Sequence, residues 1–280
     1  MKIELAKLFA GYRRNTVLEG IDIEFPEHAV ITLVGANGCG KSTLLKTAGR
    51  ILKPVSGSVV LDGKNINSYK SLDLAGKMAI LPQSRYIPVQ LSVRELLIMG
   101  RYPHRPSGWR LGAHDREVID RIAGVTGLTG LLTRRADTLS GGEMQRTWIA
   151  MTLVQEPELL LLDEPTTFLD ICTQYEIMEL IRKLNLELGI GVIMALHDLN
   201  MAARYSDFIA AVKSGRIKYF GRPEDIIKAD VLLDVFNIDA EICHSSDGKP
   251  YCIPVRSHRD KSPEVKKGVR MVEILPVLLR

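Results

Sequence analysis

Residues 35–42 read GANGCGKS and match the phosphate-loop pattern G-x-x-x-x-G-K-[ST]. The run before them, VITLV, is typical of a buried strand, and the run over residues 42–52, STLLKTAGRIL, is typical of a helix. Because a strand, a glycine loop and a helix in this order must fold back on a common sheet, the stretch requires an α/β fold. It restricts the fold more strongly than any other feature of the sequence.

Short apolar runs recur along the chain with helical stretches between them. Their alternation predicts an α/β fold of the P-loop NTPase type with a mixed sheet. The predicted strands cover residues 30–34, 58–61, 78–81, 159–163 and 191–196. Between residues 81 and 159 the strand patterns stop, and helical patterns cover residues 93–99, 115–123 and 142–155. We therefore expect a helical subdomain, at about residues 84–156, inserted into a domain that spans residues 1–235.

The pattern changes near the C-terminus and predicts a small extension over residues 236–280. A short helix at residues 231–236 precedes two extended runs around Asp247-Gly248, a dipeptide typical of a two-residue hairpin turn. Such a turn places Cys243 opposite Cys252, with His244 alongside. This group is either a metal or redox site or, as is usual on the covered face of a hairpin, two small apolar residues.

Composition excludes several classes of protein. A chain of 280 residues with 46% hydrophobic and 25% charged residues can bury a full core as one large domain or as one domain with a small appendage. A net charge of +4 is too small to indicate nucleic-acid binding. No apolar run approaches the roughly 18 residues of a membrane span, the N-terminal residues lack the pattern of a signal peptide, and the four cysteines lack zinc-type spacing. We therefore expect a cytosolic chain in a reducing compartment.

The glycine loop predicts the binding of nucleotide phosphates. Its backbone amides and the start of the following helix favour phosphate oxygens, Lys41 can reach the β and γ phosphates, and Ser42 can hold Mg²⁺. Cys39 is interpreted as a small residue that fills the loop. The residues expected to bind the nucleotide here are Gly35, Asn37, Gly38, Cys39, Gly40, Lys41, Ser42 and Thr43.

Polar side chains follow three of the predicted strands at their carboxyl ends, where ligands bind to parallel sheets. Asp163 can serve Mg²⁺ through its water shell, and Glu164 can polarise an attacking water; the alternative is a strand-end cap beside a surface acid. Gln83 can bind Mg²⁺ or water through its amide oxygen, and His197 can donate to the γ-phosphate, although each by itself would be an ordinary loop or structural residue. Tyr12, after the first strand, either stacks on adenine or packs against its neighbours.

A second candidate anion site begins at residue 139, about a hundred residues after the phosphate loop. The motif LSGGE places Ser140 and the amides of Gly141 and Gly142 at the start of a helix. The expected buried stripe of this helix is Met144, Trp148 and Met151. Because the motif lies in the helical insert, away from the first loop, we expect it to bind the γ-phosphate of ATP held by a second copy of the chain. The prediction is a head-to-tail homodimer with two-fold symmetry and two enclosed nucleotides.

Taken in order, these motifs resemble the ATP-binding cassette (ABC) family, and the resemblance covers the chain from Leu8 to about Phe220. In the terms of that family, residues 35–42 look like the Walker A loop, LSGGE like the signature, and LLLLDE like the Walker B strand with Glu164 as the catalytic base. Gln83 resembles the Q-loop glutamine and His197 the switch histidine. The resemblance implies an ATPase whose dimer closes on ATP and reopens after hydrolysis.

The resemblance also completes the set of expected site residues. It implies that residues 168–170, Phe-Leu-Asp, form the D-loop, so that Asp170 lies beside the nucleotide, and that Tyr12 holds the position of the adenine-stacking aromatic. The implied catalytic residues are Glu164, His197 and Gln83, and the implied Mg²⁺ residues are Ser42, Gln83 and Asp163. Nucleotide binding is implied for the loop residues given above together with Tyr12, Ser140, Gly141, Gly142 and Asp170.

Two positions depart from the family pattern. Glu143 stands where the commonest signature has Gln; a carboxylate in the first turn of a helix is favoured by the helix dipole but repels phosphate if it turns inward, and we expect it to face outward. Phe168 stands where a small residue is common, which affects the contact between the two copies.

The run VRELLIMGRYPHR resembles the nucleotide-binding subunits of importers for iron-siderophore complexes, haem and cobalamin. This resemblance implies a chain at the cytoplasmic face of the membrane, a separate integral-membrane permease and, indirectly, an extracytoplasmic binding protein. The segment after Gln83 carries Arg85, Arg94, Arg101 and Arg105; it is either the part that passes closure to the permease or a solvated basic face. Cassette ATPases that act on nucleic acid or the ribosome, and P-loop kinases, are the alternatives. The single cassette without a heptad repeat disfavours the former, and LSGGE with His197 disfavours the latter.

Overall fold

The computed structural model describes residues 1–13, 15–83, 90–104 and 111–258. Its strands are β1 (Ile3–Tyr12), β2 (Asn15–Phe25), β3 (Val30–Val34), β4 (Ser56–Leu61), β5 (Lys64–Asn65), β6 (Met78–Leu81), β7 (Leu159–Asp163), β8 (Gly191–Ala195), β9 (Phe208–Lys213), β10 (Arg216–Gly221), β11 (Ile238–His244) and β12 (Pro250–Ser257). Its helices are α1 (Lys41–Ala48), α2 (Ser71–Lys77), α3 (Val93–Gly100), α4 (Ala113–Val125), α5 (Gly141–Leu153), α6 (Ile171–Leu188), α7 (Leu199–Tyr205), α8 (Pro223–Ile226) and α9 (Ala229–Phe236). Across these ranges, every helix lacks the combination of length and hydropathy that a bilayer span needs.

Six of the described strands form the central sheet, in the order β10-β9-β3-β8-β7-β6. The strands from β9 to β6 run parallel, and β10 is antiparallel to β9. In β7, Leu159 and Leu161 pack into the core that contains α1, whereas Leu160 and Leu162 pack into the core that contains α5 and α6. A strand buried on both faces needs this continuous apolar sequence, which is why LLLLD carries no polar alternation. The expected α/β fold of the P-loop NTPase type is confirmed.

A second, antiparallel sheet covers one face of the central sheet, in the order β2-β1-β4-β5. Its strand β1 alternates, as the opening residues predict: Ile3 and Leu5 are buried, and Glu4 between them is partly exposed. Leu8 and Ala10 continue the buried face after a shift of register between β1 and its neighbours. This sheet packs with α1 and with one face of the central sheet in one hydrophobic core. Both sheets therefore hold α1, the helix that follows the phosphate loop, in place.

The helix after the phosphate loop is shorter than predicted. It ends at Ala48 instead of continuing to residue 52, because Arg50 adopts a left-handed φ of 56°. The amide of Arg50 then donates to the carbonyl of Thr47, and that of Ile51 donates to the carbonyl of Lys46, which is the Schellman pattern of a helix end. The Arg50 guanidinium secures the turn by donating to the carbonyls of Ile66 and Tyr69.

Helices α3, α4 and α5 lie between β6 and β7, where the helical patterns predict them. A buried arginine joins them to the main core: Arg101, 1% exposed, donates to Asp115 at 2.9 Å, to Glu156 at 2.8 Å and to the carbonyl of Val154 at 2.6 Å. Removal of one partner from such a buried pair costs about 3–5 kcal/mol, so the network fixes the insert firmly to the start of β7. The domain limits at residues 84–156 and 235 stay a prediction.

The expected apolar stripe of α5 is only partly correct. Met144 is buried, whereas Trp148 and Met151 are half-buried and pack at the edge of the core. Ile149, Ala150 and Leu153 are the fully buried apolar residues of this helix, with Thr147 beside them. The helix is thus rotated toward a face that includes threonines, whose hydroxyl groups donate to carbonyls of the preceding turn; Thr147 donates to Glu143 at 2.8 Å.

The C-terminal hairpin has a different register from the predicted one. Cys243 pairs with Tyr251, and Cys252 pairs with Ile242, so the two cysteines lie on opposite faces. The reason is the turn: Ser245 and Lys249 close a loop of three residues with Gly248 at a φ of 81°, instead of a two-residue turn at Asp247-Gly248. One additional loop residue shifts every later pair by one position. The sequence-based suggestion that Cys243, Cys252 and His244 form a metal or redox site is therefore wrong, because the two cysteines do not face each other.

Candidate active site

The loop between β3 and α1 packs so closely that two positions require glycine. Gly35 has a φ of 151° and Gly40 a φ of 113°. A Cβ atom on Gly35 would lie 2.3 Å from the carbonyl oxygen of Val212, and one on Gly40 would lie 2.8 Å from Leu18 Cδ2. The glycines therefore produce a tight turn that leads directly into the N-terminus of α1, where backbone N–H groups attract anions.

The side chains that follow the glycines point into the loop and toward β7. Lys41 is buried, and its Nζ donates to the carbonyl of Gly35 at 2.7 Å and to that of Ala36 at 3.3 Å. Ser42 Oγ donates to Asp163 Oδ1 at 2.8 Å. Cys39 is buried, and burial raises the pKa of its thiol, which supports its interpretation as a small residue that fills the loop.

Three parallel strands end at the same edge of the sheet and deliver polar side chains to one place. The strand register pairs Leu81 of β6 with Leu162 of β7, and Asp163 of β7 with Ala195 of β8. Gln83, Glu164 and His197 follow these ends by one or two residues. The structure therefore brings together the three residues that the sequence proposed as catalytic.

Glu164 lies at the centre of this group. Gln83 Nε2 donates to its Oε2 at 2.5 Å, Thr167 Oγ1 donates to the same oxygen at 3.0 Å, and His197 Nε2 lies 2.5 Å from its Oε1. The Glu164 side chain is 10% exposed, whereas that of His197 is 45% exposed. A largely buried carboxylate with this orientation can act as a base toward a water molecule in the cleft.

The group faces a cleft of about 440 Å³ beside the phosphate loop. Its lining residues are Val17, Asn37, Gly38, Gly40, Lys41, Ser42, Thr43, Gln83, Glu164 and His197. Gly35 and Cys39 belong to the loop but do not line the cleft, and Asp163 lies beneath Ser42. Tyr12 is the last residue of β1, is 46% exposed and is not among the residues that line the cleft. It pairs with Asn15 of β2, the strand that also carries Val17. Its stacking role stays a prediction.

Asp163 and Ser42 suit a hard divalent cation. Asp163 is 1% exposed, and its Oδ2 is buried without a hydrogen-bond partner among the described residues, while Oδ1 accepts from Ser42. Burial raises the pKa of this carboxyl group, the hydroxyl of Ser42 opposes the rise, and the charge of Glu164 adds to it. An unsatisfied carboxylate oxygen next to a hydroxyl fits Mg²⁺, which binds through one or two protein oxygens together with phosphates and water. In the described ranges no group of three or more His, Cys, Asp or Glu side chains forms an all-protein metal site.

The start of α5 lies outside the cleft. Ser140 is the N-cap: its amide donates to Glu143 Oε2 at 2.7 Å, and its Oγ accepts from the Glu143 amide at 3.3 Å, which is a capping box. The expectation that Glu143 faces outward is wrong, because the carboxylate turns back over the helix start to satisfy the Ser140 amide. The Ser140 amide and hydroxyl lower the pKa of Glu143. None of the described LSGGE residues lines the cleft of the same chain.

The D-loop lies against this helix start. A Cβ on Gly141 would lie 3.5 Å from Leu169 Cδ2, and one on Gly142 would lie 2.6 Å from Thr173 Cγ2. Asp170 caps α6 by accepting from the amide of Thr173 at 3.0 Å, which lowers its pKa, so in this chain it contacts its own helix and not the cleft. Phe168, in contrast, is 97% exposed at a left-handed φ of 66°.

Sequence reasoning missed two members of the site. Thr167 donates to Glu164, and its place three residues after the base in EPTT was a signal that could have been used. Val17 lines the cleft from β2, and an isolated valine in a strand gives no such signal.

Comparison with known proteins agrees with this geometry. Residues 18–167 match the family model described as ABC transporter. The chain is 43% identical to the petrobactin import ATP-binding protein FpuC of Bacillus anthracis, covering 91% of this chain and 93% of that protein. It is 44% identical to the iron(3+)-hydroxamate import ATP-binding protein FhuC of Bacillus subtilis (strain 168), covering 88% and 92%. The chain belongs to the ABC transporter family.

Solved structures give the same result. CbiO1 from Clostridium perfringens, described as part of the ABC transporter complex cbiONQ, is similar with a TM-score of 0.73 and 30% identity, over 84% of this chain and 94% of that one. The cassette MJ0796, in a dimeric post-hydrolysis state bound to ADP and Pi, is similar with a TM-score of 0.68 and 27% identity, over 79% of this chain and 98% of that one. The protein is accordingly an ATP-binding ABC ATPase.

Proposed function

We propose that the chain hydrolyses Mg²⁺-ATP to drive an importer for iron-siderophore complexes. The observation that carries the enzymatic part is the convergence of Gln83, Glu164 and His197 on one cleft beside the phosphate loop. The relatives FpuC and FhuC, named for import of petrobactin and of iron(3+)-hydroxamate, support the cargo class. They favour import over the nucleic-acid or ribosome alternative.

The residues of the cleft divide the work of hydrolysis. The loop amides and Lys41 bind the phosphates, and Glu164 polarises a water for attack on the γ-phosphorus, which requires an approach in line with the β–γ bridging bond that breaks. Gln83 and His197 orient that water and the γ-phosphate. Ser42 and Gln83, with Asp163 through a water, would hold Mg²⁺, which would supply positive charge beside the phosphate oxygens. Oε2 of Glu164 accepts from Gln83 and Thr167, whereas Oε1 meets one described side chain, that of His197, and so keeps an acceptor position for the water.

The complete site requires two copies of the chain. Ser140, Gly141 and Gly142 lie outside the cleft of their own chain, at a helix start suited to an anion. Phe168, almost wholly exposed on the loop packed against that helix start, is an apolar surface that a second copy can cover. In a head-to-tail pair each chain contributes LSGGE and Asp170 to the nucleotide on the phosphate loop of the other.

The proposed partners are integral-membrane permease subunits, with which the chain associates at the cytoplasmic face. An extracytoplasmic binding protein takes part indirectly, through the permease.

We further propose residues 1–235 as the ATPase domain, with the helical subdomain at about residues 84–156, and residues 236–280 as a small extension. Of the arginines near Gln83, Arg94 pairs with Asp120 and Arg101 is buried, while Arg85 and Arg105 lie outside the described residues.

A transport reconstitution tests the whole proposal. The chain is expressed with candidate permeases, purified from membranes, and placed in proteoliposomes with binding proteins loaded with a ferric hydroxamate, a ferric catecholate or cobalamin. We expect a polytopic permease to co-purify and one ferric-siderophore complex to stimulate ATP hydrolysis severalfold, whereas the Glu164→Gln variant co-purifies without stimulation. Recovery with ribosomes or DNA, or stimulation by cobalamin alone, would contradict the proposal.

A further inference from the structure

The C-terminal hairpin packs against α7, the short helix that follows His197. β12 contacts α7 along its first residues, where Pro250 and Cys252 are buried and Tyr251 between them is exposed. Cys252 is 3% exposed and faces the main hydrophobic core. The hairpin is thus joined to the helix that begins two residues after His197.

One side chain makes this contact specific. Asn200 Nδ2 donates to the carbonyl of Cys252 at 3.1 Å, and Asn200 Oδ1 accepts from the amide of Cys252 at 2.8 Å. A carboxamide has both a donor and an acceptor, so it pairs with the two backbone groups of one residue as a neighbouring strand would. At the other end of α7, Lys249 donates to the carbonyl of Arg204. The hairpin therefore holds α7 at both ends.

The same asparagine belongs to the first turn of α7, three residues after His197. Asp198 is the N-cap and accepts from the amides of Asn200 at 2.8 Å and Met201 at 2.9 Å. On the other side of His197, the amide of Leu196 donates to the carbonyl of Leu33 in the sheet. The backbone of His197 therefore lies between two fixed points, the sheet on one side and the start of α7 on the other.

His197 depends on this backbone for its position. Its side chain is 45% exposed, and the contact of its ring that the structure defines is the one with Glu164. An exposed ring receives little support from packing, so a displacement of its backbone passes directly to the ring.

We propose that Asn200 is a positioning residue, which ties the C-terminal hairpin to α7 and thereby sets the place of His197 against Glu164. The inference rests on the proposed function of His197 in hydrolysis. It assigns the C-terminal extension a part in catalysis that the cleft alone does not reveal.

The test compares Asn200→Ala with His258→Ala in the full-length chain. His258 bonds Asp239 at 2.6 Å within the hairpin, so its replacement removes a contact of the same hairpin that does not involve α7. Single-turnover hydrolysis, the KM for ATP, and labelling of Cys252 by a maleimide, resolved at the peptide level, are measured for both variants. Asn200→Asp, which keeps the acceptor and loses the donor, is measured in case Asn200→Ala does not fold.

For Asn200→Ala we expect Cys252 labelling to rise about tenfold and the hydrolysis rate to fall about threefold to tenfold, with KM within about twofold of wild type. Asn200→Asp should lie between wild type and alanine, and His258→Ala should keep the wild-type rate. In a His197→Ala background the Asn200→Ala substitution should have no further effect, because both act through one ring.

Two results would overturn the inference. One is a wild-type hydrolysis rate in Asn200→Ala, whether or not Cys252 becomes reactive. The other is a rate loss that multiplies with that of His197→Ala, which would mean an independent structural role. Absence of hydrolysis by the wild-type chain would instead contradict the proposed function, so the two failures are distinct.

Discussion

The phosphate cleft and the start of α5 are both suited to anions, yet only the cleft is assembled within one chain. The cleft receives side chains from the ends of three parallel strands, and their hydrogen bonds join at Glu164. The start of α5 has its Ser140 amide bonded to Glu143 and has no contact with the cleft. A parallel sheet brings distant residues to one edge, whereas a single helix start offers only its own first turn.

The difference supports the proposed division of one site between two copies. In the proposed dimer the cleft would bind the phosphates and polarise the water, while the α5 start of the second copy would add donors to the γ-phosphate. Such a division would make hydrolysis depend on pairing, and ATP would both join the chains and be consumed by the pair.

The largest effect is expected for the centre of the cleft. Glu164→Gln removes the base, and single-site losses of this kind are about 10² or more in rate, while the amide keeps the shape of the site. ATP binding should persist and ATP-dependent dimers should accumulate, as measured by hydrolysis assays and light scattering. Glu158→Gln, at the other end of β7, is the matched control, since Glu158 is an exposed partner of Lys77. Wild-type hydrolysis by Glu164→Gln would remove this residue from its proposed role.

A mixture of two inactive variants tests the division between copies. Lys41→Ala disables the phosphate loop, and Gly141→Asp places a carboxylate at the α5 start, where an added Cβ meets only Leu169 at 3.5 Å. Each variant alone should be inactive. In a mixture, half of the dimers are mixed and carry one intact composite site, so hydrolysis should recover to about a quarter of the wild-type rate if the sites act independently. For sites that act independently, no recovery would mean that each chain holds a complete site.

A smaller effect is expected at Glu143. Glu143→Gln keeps an acceptor for the Ser140 amide and removes a negative charge from the proposed γ-phosphate site, so the KM for ATP should fall about twofold to fivefold. Glu95→Gln is the matched control, because Glu95 forms the same capping box with Ser92 at the start of α3. The control should leave the KM unchanged.

The pH dependence of stability separates the two functions of Glu143. Since the Ser140 contacts lower its pKa in the folded state, its stabilising effect is present above the unfolded pKa and is lost as pH falls through the folded pKa. Both glutamine variants should therefore unfold slightly below wild type at pH 7 and match it in acid, as followed by thermal unfolding. If the KM for ATP fell in both Glu143→Gln and Glu95→Gln, the decrease could not be attributed to the position of Glu143 beside Ser140.

The smallest effect concerns the buried oxygen of Asp163. Its pKa is raised, so the folded state is penalised as pH rises from about 4, the unfolded value, through the folded value. Without Mg²⁺, Asp163→Asn should raise the thermal midpoint at pH 8 by about 2 °C, because a buried amide costs less than a buried carboxylate. Asp225→Asn, at an exposed acid, is the control. Identical pH profiles for wild type and Asp163→Asn would contradict the account.

Much of the cleft follows from the sequence because strong local patterns meet a simple rule of topology. Apolar runs marked the buried strands, and polar residues at their ends had to meet at one edge. Gln83, Glu164 and His197 lie where that rule places them, although their chemical roles stay predictions.

The remaining features depend on three-dimensional distances between residues, which a sequence pattern does not contain. The turn at Asp247-Gly248 is compatible with two or three loop residues, and the choice of three moved Cys252 to the other face from Cys243. The inward turn of Glu143 was readable, because Ser-x-x-Glu is a capping box. The contact of Asn200 with Cys252 joins residues 52 apart and has no local signal.

The three contacts of the Glu164 carboxylate have a consequence for how much ATP the cell consumes. Oε2 of the Glu164 carboxylate already accepts from Gln83 and Thr167, and His197 lies against Oε1, so a water molecule has to share Oε1 with the His197 ring. We therefore expect an idle subunit, in which that ring competes with the water, to hydrolyse ATP slowly between transport cycles, so that consumption follows the supply of cargo instead of the concentration of ATP.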